Sequence, residues 1–427
     1  MTSWKTVPGL GSSIVYEMAV RNYGLNGTLN EVTDDLERVR KLGVDVIYLQ
    51  PIQPLGVLNG KGRDGSLYAI ADYRAVRPEL GTEADLRRLF ERAHALGMRV
   101  VLDVVYNHAA CDSVLLRDHP EFFVRDAAGR PSRAFEDWSD IYDLDFGQPG
   151  LRAWLIETLH HWADMGADGF RCDVAPMVSL DFWVEARGSF GDREMVWIAE
   201  TFPPSYLRFL RKAGHVAHSN AEMYAAFDLT YDYDGYECLQ SYWRGTIELG
   251  EYLRYVQDQA LMNPVGALKL RFLENHDIPR IASVITSPGG LRNWTLLNLT
   301  LPGATMLEAG QEAGITFQAS LFDREPIPWA SRDAEFERFF HKAVALAKKI
   351  KAACSDYEAV EIASGLVRVT WAGEDERYVA ILNLEDRFGE IDLPESIKGQ
   401  ELLTGKPIEL AGRYQISKDP LLVRLTD

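Results

Sequence analysis

Residues 98–108 read MRVVLDVVYNH, a short run that is apolar on both faces and closes on polar side chains. A strand with one wet face would alternate; this one does not, which is the pattern of a strand covered on both sides in a parallel sheet. The amphipathic stretch TEADLRRLFERAHALG (82–97) precedes it and reads as a helix. Further upstream the same unit recurs as the helix EVTDDLERVRKLG (31–43) and the run VDVIYLQPI (44–52).

Six more runs of this kind follow the same rhythm: SIVYEMAVRN (13–22), GFRCDVA (169–175), EMVWIAE (194–200), AAFDLTYDY (225–233), LKLRFLENHD (268–277) and GATMLEAGQE (303–312). Eight strands linked mostly by helices predict a closed (β/α)8 barrel rather than a doubly wound sheet. The connection 109–145 is too long for a simple loop and predicts a short loop subdomain after the third strand. Beyond residue 354 the period changes to two: GLVRVTW, RYVAILNL, GEIDL, KPIELAG and LLVRL read as antiparallel strands of a C-terminal β-sandwich. The expected division is a barrel of 1–108 and 146–354, a subdomain of 109–145 and a sandwich of 355–427.

With 47% hydrophobic and 25% charged residues, the composition is that of a well-packed globular protein. Its 45 Lys+Arg against 63 Asp+Glu leave a net charge of -18, which argues against nucleic acid as a partner and is indifferent to neutral sugars. Cys111, Cys172, Cys238 and Cys354 lie far apart without a CxxC pair, so neither a zinc cage nor a disulfide framework is expected. The first residues, MTSWKTVPGLGSSIVYEMAV, lack a basic segment followed by an apolar stretch of signal length, and no run approaches the ~18 apolar residues of a membrane span. The expectation is a cytoplasmic protein without a membrane partner; nothing in the chain speaks to its oligomeric state.

Polar residues collect where the strand candidates end: Asp103, Asn107 and His108; Arg171 and Asp173; Glu200; Asn275, His276 and Asp277. In a barrel, that rim is where reacting groups converge. Singly each has a plainer reading: His108 as a structural histidine, Glu200 and Asp277 as helix caps. Together they suit two chemistries, a divalent metal holding an enolate or glycoside hydrolysis by paired carboxylates. Arg171 lies two residues from Asp173, on the same strand face. A fixed cation there competes with a metal and favours an ionised aspartate. No lysine ends a strand as an enolising base. The reading is glycoside chemistry.

DVVYNH (103–108), GFRCDVA (169–175), WIAE (197–200) and FLENHD (272–277) resemble, in order and spacing, the signature segments of the α-amylase family of glycoside hydrolases. GSLYAIADYRAVRPELGT (65–82), YDLDF (142–146) and AGQE (309–312) extend the resemblance over essentially the whole chain. It implies Asp173 as nucleophile, Glu200 as general acid/base and Asp277 as a third carboxylate that stabilises the transition state. It implies His108, His276 and Arg171 as substrate-binding groups, with Tyr68 as the ring beneath the sugar being cleaved. Asp72 and Asp103 would give structural support. Asn107 resembles a calcium ligand, with Asp143 as its best remaining partner.

The chain departs from many calcium-dependent relatives after Asp173, reading DVAPMV where they continue with Lys-His. With so short a subdomain, the expectation is a weak or absent structural Ca²⁺ site and no cofactor for the chemistry. Val174 and Ala175 are expected to line the acceptor side. The resemblance implies a retaining hydrolase of α-1,4-glucosidic bonds in maltodextrins or starch-type glucans. Alternatives are an α-glucosidase, a cyclomaltodextrinase or a glucanotransferase on the same scaffold. A non-catalytic carbohydrate-binding homologue would be marked by loss of a carboxylate, and all three are present.

Overall fold

The structure, a computed structural model, describes residues 6–393 and 395–426. Eight parallel strands close into a barrel: β1 (Ile14–Met18), β2 (Val46–Leu49), β3 (Arg99–Val104), β4 (Gly169–Cys172), β5 (Val196–Ala199), β6 (Leu229–Tyr231), β7 (Leu268–Arg271) and β8 (Ala304–Glu308). Each lies between its neighbours in sequence, and β8 returns beside β1. The (β/α)8 expectation holds. The strands are shorter than the apolar runs that announced them. β3 stops before Asn107 and His108, and β7 before Asn275, His276 and Asp277. β3 outlasts its pairing with β2, which ends at Leu102, by pairing Asp103 and Val104 with β4, and turns into loop where β4 ends at Cys172.

The helices between strands form for local reasons. Leu29–Leu42 opens on a capping box between Thr28 and Glu31, buries Leu29, Val32, Leu36 and Val39 along one face, and stops at Gly43. Gly43 has φ 102, a left-handed geometry that glycine adopts without penalty. Glu83–Ala95 repeats the device with Thr82 and Asp85. Trp162, Trp183 and Trp197 are fully buried, and Tyr106 stacks on Trp183 with ring planes 4° apart.

Two compact units divide the chain. The first is built on Val15–Tyr231 and Gln318–Ile327, the second on Gly9–Ile14, Asp232–Phe317 and the chain from Pro328 onward. Within the first, the long connection after β3 forms a two-stranded antiparallel ribbon, His108–Ala110 against Ile141–Asp143, with a short helix Val114–Asp118.

Within the second unit, the helix Ala334–Ala353 leads into β9 (Asp356–Ala363), β10 (Leu366–Ala372), β11 (Arg377–Asn383), β12 (Glu390–Asp392), β13 (Ile397–Glu401), β14 (Pro407–Leu410), β15 (Arg413–Gln415) and β16 (Leu421–Leu425). Six of these form one antiparallel sheet in the order β9-β10-β11-β16-β13-β14, while β12 pairs with β15. Val379, Ile381 and Val423 from the sheet share a core with Tyr414 from the small pair and Leu393 just past it. The second layer of the expected sandwich is therefore only two strands wide. All four cysteines are free. Among the described residues no helix is long and apolar enough to cross a membrane.

Candidate active site

Arg171 sits in β4 with no exposed surface, directly across from Asp103 in β3. Its Nη1 donates to both Asp103 oxygens at 2.9 and 3.0 Å and to Asp173 Oδ1 at 2.9 Å. Its Nη2 lies 2.6 Å from Glu200 Oε1, an ion contact off the hydrogen-bond line. Asp173 and Glu200 each stand one residue past the end of their strand, both buried. A guanidinium offers five donors in a rigid fork, so one cation can serve three acids where an ammonium could not.

Arg171 is paired with Asp173, and it is shared with Asp103 and Glu200 as well. Three buried carboxylates share one positive charge. Burial, and then the charge of Glu200, push the Asp173 carboxyl well above the usual aspartate range, and the pull of Arg171 does not offset them. Two like charges against one guanidinium titrate as a pair rather than as separate groups.

Three tyrosines enclose the cation. The rings of Tyr48, Tyr68 and Tyr231 are centred 5.8, 5.7 and 5.5 Å from the guanidinium carbon. The Tyr48 hydroxyl donates to Asp103 Oδ2 at 2.6 Å and that of half-buried Tyr68 at 3.2 Å. Sequence reasoning missed Tyr48 and Tyr231, which read as core aromatics. It also missed Glu17, a fully buried acid in β1 that accepts from Gln50 Nε2 at 3.0 Å. An acid inside an otherwise apolar strand was the available signal.

Val174, next after Asp173, has φ 36 and ψ 41. This left-handed conformation is strained for a β-branched residue. It aims the Val174 N–H at Glu200 Oε2, 2.7 Å away. Ala175 is fully buried and its carbonyl accepts from Trp183 Nε1 at 3.1 Å. Only Val174 of that pair keeps some exposure, which corrects the expectation that both line an open acceptor side.

His108 is buried, with its Nδ1 3.2 Å from Asn107 Nδ2. The amide can only donate, so Nδ1 accepts and the imidazole is neutral. Burial pushes its pKa down to about 4. The Tyr73 hydroxyl donates to the His108 carbonyl at 2.6 Å. Asp72 closes a local turn by accepting the Arg74 N–H at 3.0 Å. In the second unit, past β7, His276 Nε2 lies 3.4 Å from Asp277 Oδ2, and the Asp277 N–H donates to Asn275 Oδ1 at 2.9 Å. Asp277 keeps a partly exposed carboxylate while His276 is buried.

Asp143 accepts the Ala134 N–H at 2.7 Å through Oδ2, while Oδ1 is buried without a hydrogen-bond partner. Burial pushes this carboxyl up to about 6. The Asn107 carbonyl accepts the Leu144 N–H, and its amide is engaged with His108. Calcium wants six to eight oxygens. Among the described residues no three His, Cys, Asp or Glu side chains gather as a ligating group.

The model of the alpha-amylase catalytic domain matches residues 9–126 and 134–358. The chain belongs to the alpha-amylase family. An alpha-amylase from Lactobacillus plantarum with a known crystal structure is 38% identical over 98% of this chain and 100% of its own, with a TM-score of 0.93. A noncanonic maltogenic alpha-amylase from Thermotoga neapolitana is 30% identical over 98% and 99%, with a TM-score of 0.87. Among curated relatives, alpha-amylase MalA of Haloarcula japonica is 27% identical over 94% of this chain and 59% of its own length. An alpha-1,4-glucan:maltose-1-phosphate maltosyltransferase of Cereibacter sphaeroides is 32% identical over 47% of this chain and 38% of its own. The chain thus spans less than two thirds of these curated relatives. As a member of the alpha-amylase family, it carries Asp173, Glu200 and Asp277 in the segments that resemble the family's signatures.

Proposed function

We propose that this chain is a retaining glycoside hydrolase that cleaves α-1,4-glucosidic bonds of maltodextrins and starch-type glucans. The observation that carries the reading is the single guanidinium of Arg171 touching both Asp173 and Glu200. A shared clamp of that width suits a pair at the ~5–5.5 Å of retaining enzymes rather than one opened for an intervening water.

Asp173 attacks the anomeric carbon as the bond to the leaving oxygen breaks, and Glu200 gives that oxygen its proton. Water then attacks the glycosyl ester, Glu200 takes the proton back, and the sugar leaves with its configuration retained. The aligned bond from Arg171 Nη1 favours the negative charge on Asp173. In this reading Glu200, in ion contact with Nη2, is the group that carries the proton. His108 and His276 bind sugar hydroxyls, Tyr68 offers its ring, and Asp277 stabilises the developing oxocarbenium charge. Asp103 holds Arg171 in place, and Asp72 supports the loop that carries Tyr68. No cofactor enters these steps.

A second reading, transfer of the glycosyl group to a sugar acceptor, uses the same pair and is supported by the curated maltosyltransferase relatives. Digestion of maltoheptaose with and without added maltose separates the two: hydrolysis yields a ladder of shorter oligosaccharides, transfer yields products longer than the substrate. The substrate we propose is a neutral glucan, with no nucleic acid or membrane partner, and the four free thiols fit the reducing cytoplasm.

A further inference from the structure

A cavity of about 530 Å³ opens in the first unit among loops that follow β1 and β2 and the segment Gln318–Ile327. None of the residues described around Asp173 lines it. Four arginines do: Arg21, Arg63, Arg77 and Arg324. In a chain of net charge -18, such a concentration of positive charge calls for a reason.

Arg21 and Arg77 are 4% and 7% exposed. Arg77 donates Nε to the Gln53 carbonyl at 3.2 Å, and its Nη2 is buried with no hydrogen-bond partner. Arg21 donates Nη1 to the Gly65 carbonyl at 2.9 Å and Nη2 to the Leu321 carbonyl at 2.7 Å, leaving Nε buried without one. Both guanidiniums lean on neutral carbonyls, with no carboxylate at ion-pair distance among the described residues. Burial first, and then the charge of Arg21, push Arg77 down to about 10. The nearby acids relieve this only in part: Glu79 acts on Arg77, and Asp64 and Asp323 on Arg21, from beyond ion-pair distance. Asp64 is exposed, already carries Arg63 at 3.3 Å and accepts the Arg324 N–H at 2.8 Å; Glu79 is exposed.

Two buried, unpaired cations are costly unless a counter-charge arrives from outside. We propose that this cavity binds a phosphate group, free or carried on a sugar. A carboxylate would match one guanidinium, whereas a phosphate dianion matches two and presents three oxygens to their forks. The volume lies in the range of small-molecule sites and admits a sugar phosphate as well as the bare ion. The inference does not rest on the hydrolase reading, and its test reads binding alone.

The full chain is heated at constant ionic strength in rising inorganic phosphate, in glucose 6-phosphate, and in glucose with matched chloride. A ligand that binds only the native state raises Tm saturably. Phosphate or glucose 6-phosphate should do so and glucose should not; tighter binding of glucose 6-phosphate identifies the sugar-borne group, tighter binding of phosphate the free ion. Arg77→Gln should weaken the effect about tenfold or more. Arg63→Gln, an exposed change, should also weaken it and decides the matter if the first variant does not fold. No saturable shift with either phosphate, or one that both variants leave unchanged, overturns the proposal.

Discussion

Arg171 Nη2 and Glu200 Oε1 are 2.6 Å apart, so the cation that serves Asp173 also presses on the second carboxylate. Both acids, together with Asp103, depend on one side chain in β4.

Arg171→Lys is expected to cost stability of about 3–5 kcal/mol, the range for breaking a buried ion pair, because a point-like ammonium cannot span three acids. In protein that still folds, the carboxylates that the ammonium no longer reaches lose their counter-charge and their pKa values rise further, so the acidic limb of kcat/KM moves to higher pH. Urea unfolding and a pH-rate profile measure the two effects. An unmoved acidic limb would contradict the shared clamp.

Asp173→Asn should keep the fold and lose several orders of magnitude in kcat. Glu200→Gln should slow malto-oligosaccharides far more than activated aryl glycosides, since only a poor leaving group needs the proton. NMR of freshly released product should show the α-anomer. Equal losses on both substrate types would remove Glu200 from the acid role, and a β-anomer would exclude the nucleophile.

The two tyrosines that reach Asp103 should separate by burial. Tyr48→Phe removes a 2.6 Å bond to a buried carboxylate and is expected to cost about 1–3 kcal/mol. Tyr68→Phe removes a longer bond at the half-buried rim and should cost less stability. Denaturation midpoints test this; a larger loss in Tyr68→Phe would reverse the assignment.

The carboxyl of Asp143, held up to about 6 in the native chain, loses its proton near the ordinary aspartate value of about 3.9 when unfolded. Between those values the native state binds more protons, so this group lowers stability as pH rises, with the full penalty present above pH 6. Asp143→Asn should therefore gain on the native chain with rising pH, by about 1–3 kcal/mol at pH 8 and little at pH 4. Chelator should leave Tm and activity unchanged. A calcium-reversible loss of either would show an ion held at Asn107 and Asp143.

The barrel was legible because strands covered on both faces carry no polar alternation, and eight such runs leave few closures. Their ends were not, since a strand lasts only as long as its neighbours, and β3 stops where its pairing with β4 ends at Val104 and Cys172. Asp173 and Glu200 stood out as acids at the ends of apolar runs. The pairing of Arg171 with Asp173 could be read from their spacing, but its contact with Glu200 could not, because the ends of β4 and β5 meet only in space. Tyr48 and Tyr231 were indistinguishable from packing aromatics. Ala175 seemed a rim residue because the indole that covers it lies eight positions away in another element.

The left-handed turn at Val174 has a consequence for how such a site can change. Holding a β-branched residue there costs roughly 1–3 kcal/mol, and glycine would relax it. The residue keeps some exposure, while its peptide N–H is committed to Glu200. Exchanges at position 174 that ease the backbone also free that N–H to wander. A lineage or a designer seeking a new acceptor preference at this residue is therefore also adjusting, through one amide, the aim of the group proposed to deliver the proton.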